Sequence, residues 1–291
     1  MKYVILSDSD NIEPFKIPRQ LSVIDGETLI ERTIRLLKEN GIKDILITSH
    51  DPRFDNLGAT RYEPKFNDYK PKEGKGYWLS AFPVELLKEP ITFLLGDVYY
   101  SEDAIKTIVE KDTKSILFFC SYKNKDKTYI KHHDEPFAFK VIDTKLFKKH
   151  IEIVKKLKDE GKIKREPIAW ELYRSINGID IGTHILTENY VSINDITCDV
   201  DRLEDSILIE LNTERNNMIR LEAILKFSFE KFEKLKNLKR FNENENKYGE
   251  IYMRDTFECD KKTAKYLLGE NPNNIIVARI IEIMPNKKEE K

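Results

Sequence analysis

Apolar residues fall along this chain in short runs, each closed by a polar, glycine or proline signal. Tyr3-Val4-Ile5-Leu6 predicts a strand over Lys2–Leu6, and the polar run Ser7-Asp8-Ser9-Asp10-Asn11 follows it. Pro14 and Pro18 stiffen the next loop. Glu27–Asn40 places Leu29, Ile30, Ile34, Leu36 and Leu37 at helical spacing and stops at Gly41. Asp44–Ser49 predicts the second strand. Strand, loop, helix and strand in this order define a parallel, right-handed crossover unit.

The run Ile91-Thr92-Phe93-Leu94-Leu95 is continuous and mostly apolar, as suits a strand buried on both faces of a parallel sheet. Gly96 turns the backbone and leaves Asp97 at the carboxyl end of that strand, the edge where open α/β sheets bind ligands. The alternative duty for Asp97 is to cap a helix over 101–111. Between these elements, 51–73 lacks periodicity and reads as irregular, and 77–88 predicts a helix that Pro83 starts or kinks. Further strands are expected over 115–121 and 135–142, and helices over 144–160 and 166–175. From Leu203 to Leu238 there is no Pro or Gly, and Ile207, Leu211, Met218, Leu221, Leu225, Phe232 and Leu235 recur at heptad-like spacing. That predicts a long amphipathic helix over 203–240, either lying on the main domain or pairing with a second copy. Residues 247–285 predict a small α+β unit: strand 250–259, helix 261–268, strand 275–284. The reading is an α/β domain over 1–202, with a Rossmann-like, mixed but mostly parallel sheet flanked by helices, then the long helix and the small domain.

Composition narrows the class. The hydrophobic fraction of 40% supports a real core. Lys and Arg number 50 against 51 Asp and Glu, so no global field favours nucleic acid or membrane, and neither is expected as a partner. Cys120, Cys198 and Cys259 fit neither a disulfide framework nor a zinc spacing. With no signal-peptide pattern at Met1–Leu6 and no membrane-length apolar run, the expectation is a cytoplasmic protein. A second acidic cluster, Cys198-Asp199-Val200-Asp201, joins Asp97 as a candidate holder of a divalent cation, since hard cations take carboxylate oxygens.

These motifs carry a resemblance. Val4-Ile5-Leu6, a polar loop, and Pro18-Arg19-Gln20-Leu21 through Gly26-Glu27-Thr28-Leu29-Ile30 resemble the opening of the sugar-phosphate nucleotidyltransferases, which have a GT-A-like fold. Gly41–Thr48 is similar to that family's next helix–strand junction. Gly96-Asp97 falls at its first metal-binding Asp, and Asp199-Val200-Asp201-Arg202-Leu203-Glu204-Asp205 resembles its late acidic motif. The likeness covers about residues 1–205. The chain departs from it in the Ser7–Asn11 loop, which lacks glycine and carries two acids, and in Arg19, which stands where the family has Lys.

The resemblance implies transfer of a nucleoside monophosphate from an NTP, CTP or UTP favoured, to a small phosphorylated acceptor for surface-glycan or sugar-nucleotide synthesis. Mg²⁺ (or Mn²⁺) would be held by Asp97, Asp199 and Asp201. Arg19 and Lys140 join Asp97 as catalytic candidates, although Lys140 also reads as an edge-strand lysine. Leu6, Ser7, Asp8, Ser9, Lys16, Ser49, Trp78 and Gly96 would line the nucleotide; Glu135, Trp170 and Glu171 would meet the acceptor. As alternatives, Trp78 packs in the core, Lys16 is a solvated lysine, and the two glutamates are a strand-end and a helix-surface acid. His132-His133-Asp134 lacks a third ligand at metal spacing, and Ser49-His50-Asp51, being adjacent, cannot converge as a triad. A homo-oligomer through the C-terminal helix or domain is expected. More weakly, Tyr266–Pro272 is similar to small phage-associated domains. Two other functions stay open: a nucleotide-sugar glycosyltransferase, which would want a paired Asp-x-Asp after the central strand, and a non-catalytic binding or assembly protein.

Overall fold

A computed structural model describes residues 1–7, 17–24, 26–65, 82–122, 134–164, 167, 169–201, 205, 209, 218–227, 243–245, 251–260 and 275–284. The chain divides into two compact units, 1–23 with 27–200, and 24–26 with 201–291.

Seven strands form the main sheet of the first unit: β1 (Lys2–Leu6), β2 (Ile45–Thr48), β3 (Thr60–Tyr62), β4 (Ile91–Leu95), β6 (Ile116–Cys120), β7 (Pro136–Val141) and β8 (Tyr190–Ser192). Two short strands outside it, β5 (Val98–Tyr99) and β9 (Cys198–Asp199), pair with each other. The order across the main sheet is β8-β6-β7-β4-β1-β2-β3. Strand β7 alone runs against its neighbours; every other pairing is parallel.

Alternate residues of the central strands feed two cores. Val4, Leu6 and Phe93 meet Phe147, Ile151 and Val154 of α3 (Thr144–Asp159) and Leu172 and Tyr173 of α4 (Ala169–Ile176) on one face. Tyr3, Ile5 and Leu94 meet Ile30, Ile34 and Leu37 of α1 (Leu29–Glu39) and Ile105 and Ile108 of α2 (Glu102–Glu110) on the other. Both faces are covered, so these strands read as unbroken apolar runs rather than alternating ones. Helix α1 starts where Thr28 and Glu31 form a reciprocal capping box. It ends before Gly41, whose φ of 81° is one that glycine adopts without the strain a Cβ brings.

Three expectations need correction. In place of a helix over 77–88, the described residues 82–88 hold a single 3₁₀ turn at Val84–Leu86, because Pro83 lacks the N–H that a helix interior needs. The stretch read as irregular supplies edge strand β3, pairing in parallel with β2 from Leu46–Thr60 to Thr48–Tyr62. Three residues are too few to show a period.

The third correction concerns 203–240. Asp205 and Ile209 are helical, but Met218–Phe227 is a ten-residue strand, β10. With β11 (Glu243–Glu245), β12 (Ile251–Asp260) and β13 (Ile275–Met284) it forms an antiparallel sheet ordered β11-β12-β10-β13. The sequence here supports two periods. Met218, Leu221 and Leu225 fit helical spacing, but Ile219, Leu221, Ala223, Leu225 and Phe227 alternate with Arg220, Glu222 and Lys226, and period two prevails. The expected helix over 261–268 and the rest of 203–240 lie outside the described residues.

Candidate active site

The chain leaves β1 through α1 to β2 on one side, then returns to β4 on the other. The order of strands reverses at β1, and ligands of open α/β sheets bind beyond the carboxyl ends at such a reversal. Ser7, Thr48-Ser49 and Gly96-Asp97 stand at that edge.

Gly96 is there because nothing larger fits. Its N–H donates to Leu6 O at 2.9 Å, and an added Cβ would lie 2.5 Å from Ser7 Oγ, 2.7 Å from Leu6 O and 3.0 Å from Gln20 Cγ. Close approach, not an unusual φ, demands the glycine.

Asp97 lies just beyond. It does not cap α2: Ser101 does, its hydroxyl accepting from the N–H of Ala104 at 2.9 Å and donating to Asp195 Oδ2 at 2.6 Å. Instead, the N–H of Val200 donates to Asp97 O at 2.8 Å, and β5 pairs antiparallel with β9, Val98 opposite Asp199. The two acidic positions, far apart in sequence, thus lie one step apart along this ribbon, Asp97 facing Val200 and Asp199 facing Val98. Thr197 fastens it further, Oγ1 accepting from Ser101 N–H at 3.0 Å.

Behind the ribbon sits Arg32 of α1, almost wholly buried. Its Nε donates to Tyr100 O at 2.9 Å, its guanidinium lies 4.3 Å over the Tyr99 ring, and Glu27 pairs with it at 3.5 Å. The Tyr100 hydroxyl donates to Phe137 O at 2.6 Å; complete burial pushes its pKa well up, and the charge of Asp97 adds to the shift. Sequence reading missed both residues, since an arginine on a helix and a tyrosine before one carry no motif.

Asp201, the third metal candidate, is the first residue of 201–291, where its N–H donates to Asp205 Oδ2 at 3.0 Å. Among the described residues no group of three or more His, Cys, Asp or Glu is gathered closely enough to hold a metal alone. Mg²⁺ commonly takes one or two carboxylates plus substrate phosphates, a donor type that Asp97 and Asp199 supply, although the register sets Val98 and not Asp97 opposite Asp199.

Arg19 stands half-buried in a 3₁₀ turn, Arg19–Leu21, after Pro18. Gln20 beside it, unremarked in the sequence, is 2% exposed. Leu6 closes β1, and Ser7 is buried, its N–H donating to Thr48 O at 3.1 Å. Ser49 is turned to local structure: its Oγ accepts from Asp51 N–H and its carbonyl from Arg61 Nη1, both at 3.1 Å. Asp8, Ser9, Lys16, Trp78 and His132-His133 lie outside the described residues.

Lys140 does not belong to this edge. It pairs in register with Thr92 near the start of β4, about 10 Å short of Leu95 at the strand rise. Its ammonium donates to Val109 O at 3.0 Å and to Lys111 O, tying off the last turn of α2. Burial pushes its pKa below the ordinary lysine value. The buried charge found carbonyl partners at a helix end, which sequence alone does not locate.

The three acceptor candidates separate. Glu135 is half-buried at the carboxyl edge, where its N–H donates to Ser121 Oγ at 2.8 Å. Trp170 packs in the α3–α4 core, edge-on to His184 with centroids 5.1 Å apart. Glu171 is 2% exposed and pairs with Arg174 at 3.2 Å. Arg174 also donates to Ile181 O at 2.9 Å and to His184 Nδ1 at 3.0 Å, leaving Nε2–H of His184 to donate to Asp134 at 2.8 Å. This chain of polar groups stitches 181–184 to α4 and to Asp134, so Trp170 and Glu171 already have structural work. The cleft bounded by Lys43, Ile45, Asn56, Gly58 and Thr60 lies at the amino end of β2, away from these groups.

No protein-family model matches the chain, and no curated protein matches it. Similar solved structures include a CTP:phosphocholine cytidylyltransferase from Streptococcus pneumoniae, 17% identical over 72% of this chain and 97% of that one, TM-score 0.42. An inositol-1-phosphate CTP transferase from T. maritima is 14% identical over 72% and 94%, TM-score 0.46. A putative glucose-1-phosphate thymidylyltransferase from Bacillus anthracis is 14% identical over 68% and 89%, TM-score 0.43. Scores of this size leave the assignment to the site's own residues. No helix among the described residues is long and apolar enough to cross a membrane.

Proposed function

We propose that this chain is a divalent-cation-dependent nucleotidyltransferase that moves a nucleoside monophosphate from an NTP, CTP or UTP favoured, to a small phosphorylated acceptor. The observation that supports the reading is the β5–β9 ribbon, which joins the segments of Asp97 and Asp199, Val200 bonded to Asp97 and Val98 opposite Asp199, near the carboxyl edge where the strand order reverses. An acceptor phosphate oxygen attacks the α-phosphorus; the new P–O bond forms as the bond to the β-phosphate's bridging oxygen breaks, and pyrophosphate leaves. Such a displacement needs alignment and charge neutralisation more than a proton shuttle.

Asp97 and Asp199 would hold Mg²⁺, which when bound neutralises charge on the triphosphate. Arg19 faces the same task for the departing pyrophosphate, and its fork suits bidentate phosphate contact. Glu135, at the same edge, would meet a hydroxyl or ammonium of the acceptor.

Calorimetric titration of the full chain with each NTP and Mg²⁺ tests the reading. The expected result is binding of one NTP that requires the cation and is lost in Asp97→Asn. Failure of every NTP to bind would sink it.

A further inference from the structure

The antiparallel sheet over 218–284 has two unlike edges. At one, β11 is three residues long, Glu243-Asn244-Glu245. Shortness and charge are common means of blunting an edge against further pairing. At the other, β13 is ten residues long, and its only charged residues are Arg279 and Glu282. Among the described strands β13 has a neighbour on one side only, β10. A long, mostly apolar edge strand of this kind offers its outer N–H and C=O groups to a further strand.

The register of β13 says which strand fits. On β10, Arg220 stands opposite Glu282, Leu221 opposite Ile280 and Glu222 opposite Arg279, so Ile281 is the extra residue of a bulge. Arg220 and Glu222, two apart, share a face of the sheet. Arg279 and Glu282 therefore share it too, whereas an unbulged strand would put residues three apart on opposite faces. A two-fold axis that extends the sheet keeps its faces and sets β13 antiparallel to its own copy. With the axis at Ile280, Arg279 of each copy faces Glu282 of the other, Ala278 faces Ile283, and Val277 faces Met284. Moving the axis one position either way sets Arg279 against Arg279 or Glu282 against Glu282, and like charges directly opposite repel. Of these three central registers, one leaves the strand complementary to itself.

We propose that two copies of this chain associate through β13, antiparallel about Ile280, joining their four-stranded sheets into one. Backbone hydrogen bonds supply the attraction and the Arg279–Glu282 pairs supply the register; neither depends on the nucleotidyltransferase reading. Sedimentation velocity of the full chain over a range of concentrations, beside single-cysteine variants, tests it. Wild type is expected to shift from monomer to dimer as concentration rises. Opposed residues of an antiparallel pair have Cα atoms about 4.5–5.5 Å apart, within the span of a disulfide. Ile280→Cys, facing itself across the axis, should give a disulfide-linked dimer under mild oxidation. Ala278→Cys, facing Ile283, and the wild type with its own three cysteines should not. Should Ile280→Cys fail to fold, two charge variants replace it. Arg279→Glu and Glu282→Arg should each dimerise roughly tenfold more weakly alone and recover when mixed, because only the mixture restores opposite charges at both positions. A wild type that stays monomeric at every concentration overturns the inference. So does a dimer in which Ile280→Cys links no better than Ala278→Cys, or one that mixing the charge variants does not restore.

Discussion

The N–H of Val200 meets the carbonyl of Asp97 at 2.8 Å, and this bond closes a two-strand ribbon that joins the segments of Asp97 and Asp199. Because backbone atoms make the tie, changing either carboxylate should leave it standing. Asp97→Asn and Asp199→Asn are each expected to lower turnover about a hundredfold or more while unfolding near the wild-type midpoint. The double variant should be little worse than either single one, since the pair acts as a unit. Steady-state kinetics beside thermal unfolding checks this.

Gly96→Ala must displace Leu6 O or Ser7 Oγ, both closer than 3 Å to the new methyl. Leu6 belongs to a central strand and cannot yield cheaply. Urea unfolding should show a loss of about 1–3 kcal/mol, the usual range for an overpacked interior, and nucleotide affinity should fall with it.

Lys140→Met separates a structural from a catalytic lysine. It orphans the carbonyls of Val109 and Lys111 at the end of α2. The expected cost is about 1–3 kcal/mol, with kcat within about twofold of wild type. Burial depresses the folded pKa of Lys140, so between that value and the unfolded 10.5 the unfolded state binds more protons. Wild-type stability therefore gains from this group as pH rises through that window, and the variant should lack the gain. A large loss of kcat in a stable Lys140→Met would return the lysine to the site.

His150 joins α3 to α4 through Nδ1 and Ser175 Oγ, 2.8 Å apart. Burial, then the neighbouring Lys149, lowers its pKa from the usual 6.5. Its contribution is whole above that value and is lost as pH falls from 6.5 toward the folded pKa, because the unfolded chain takes up the proton first. His150→Gln should flatten the fall in unfolding free energy over that window, measured by urea titration at stepped pH.

The central sheet was legible because its strands are buried on both faces and bounded by strong punctuation: Lys2–Leu6 and Ile91–Leu95 agree with the sequence reading to the residue. Short strands held by neighbours were not, since Thr60–Tyr62, Tyr190–Ser192 and Cys198–Asp199 owe their form to pairing. Met218–Phe227 was misread because its apolar residues satisfy two periods and only partner strands decide between them. At the site, Asp97 stands out as an acid closing an apolar run and Asp199 as part of a second acidic cluster. Gln20 gave no such signal, for a polar residue becomes informative only when its burial is known. Lys140 and Glu171 stood out for charge, which the fold spends on a helix end and on Arg174.

Pyrophosphate release tests the central claim most directly. The full chain would be incubated with Mg²⁺, each of the four NTPs, and a panel of sugar phosphates, phosphocholine and other small phosphates, beside Asp97→Asn. Release is expected only with one NTP and one acceptor together, and is expected to disappear in the variant. Release from no pair, or release undiminished in Asp97→Asn, would contradict it.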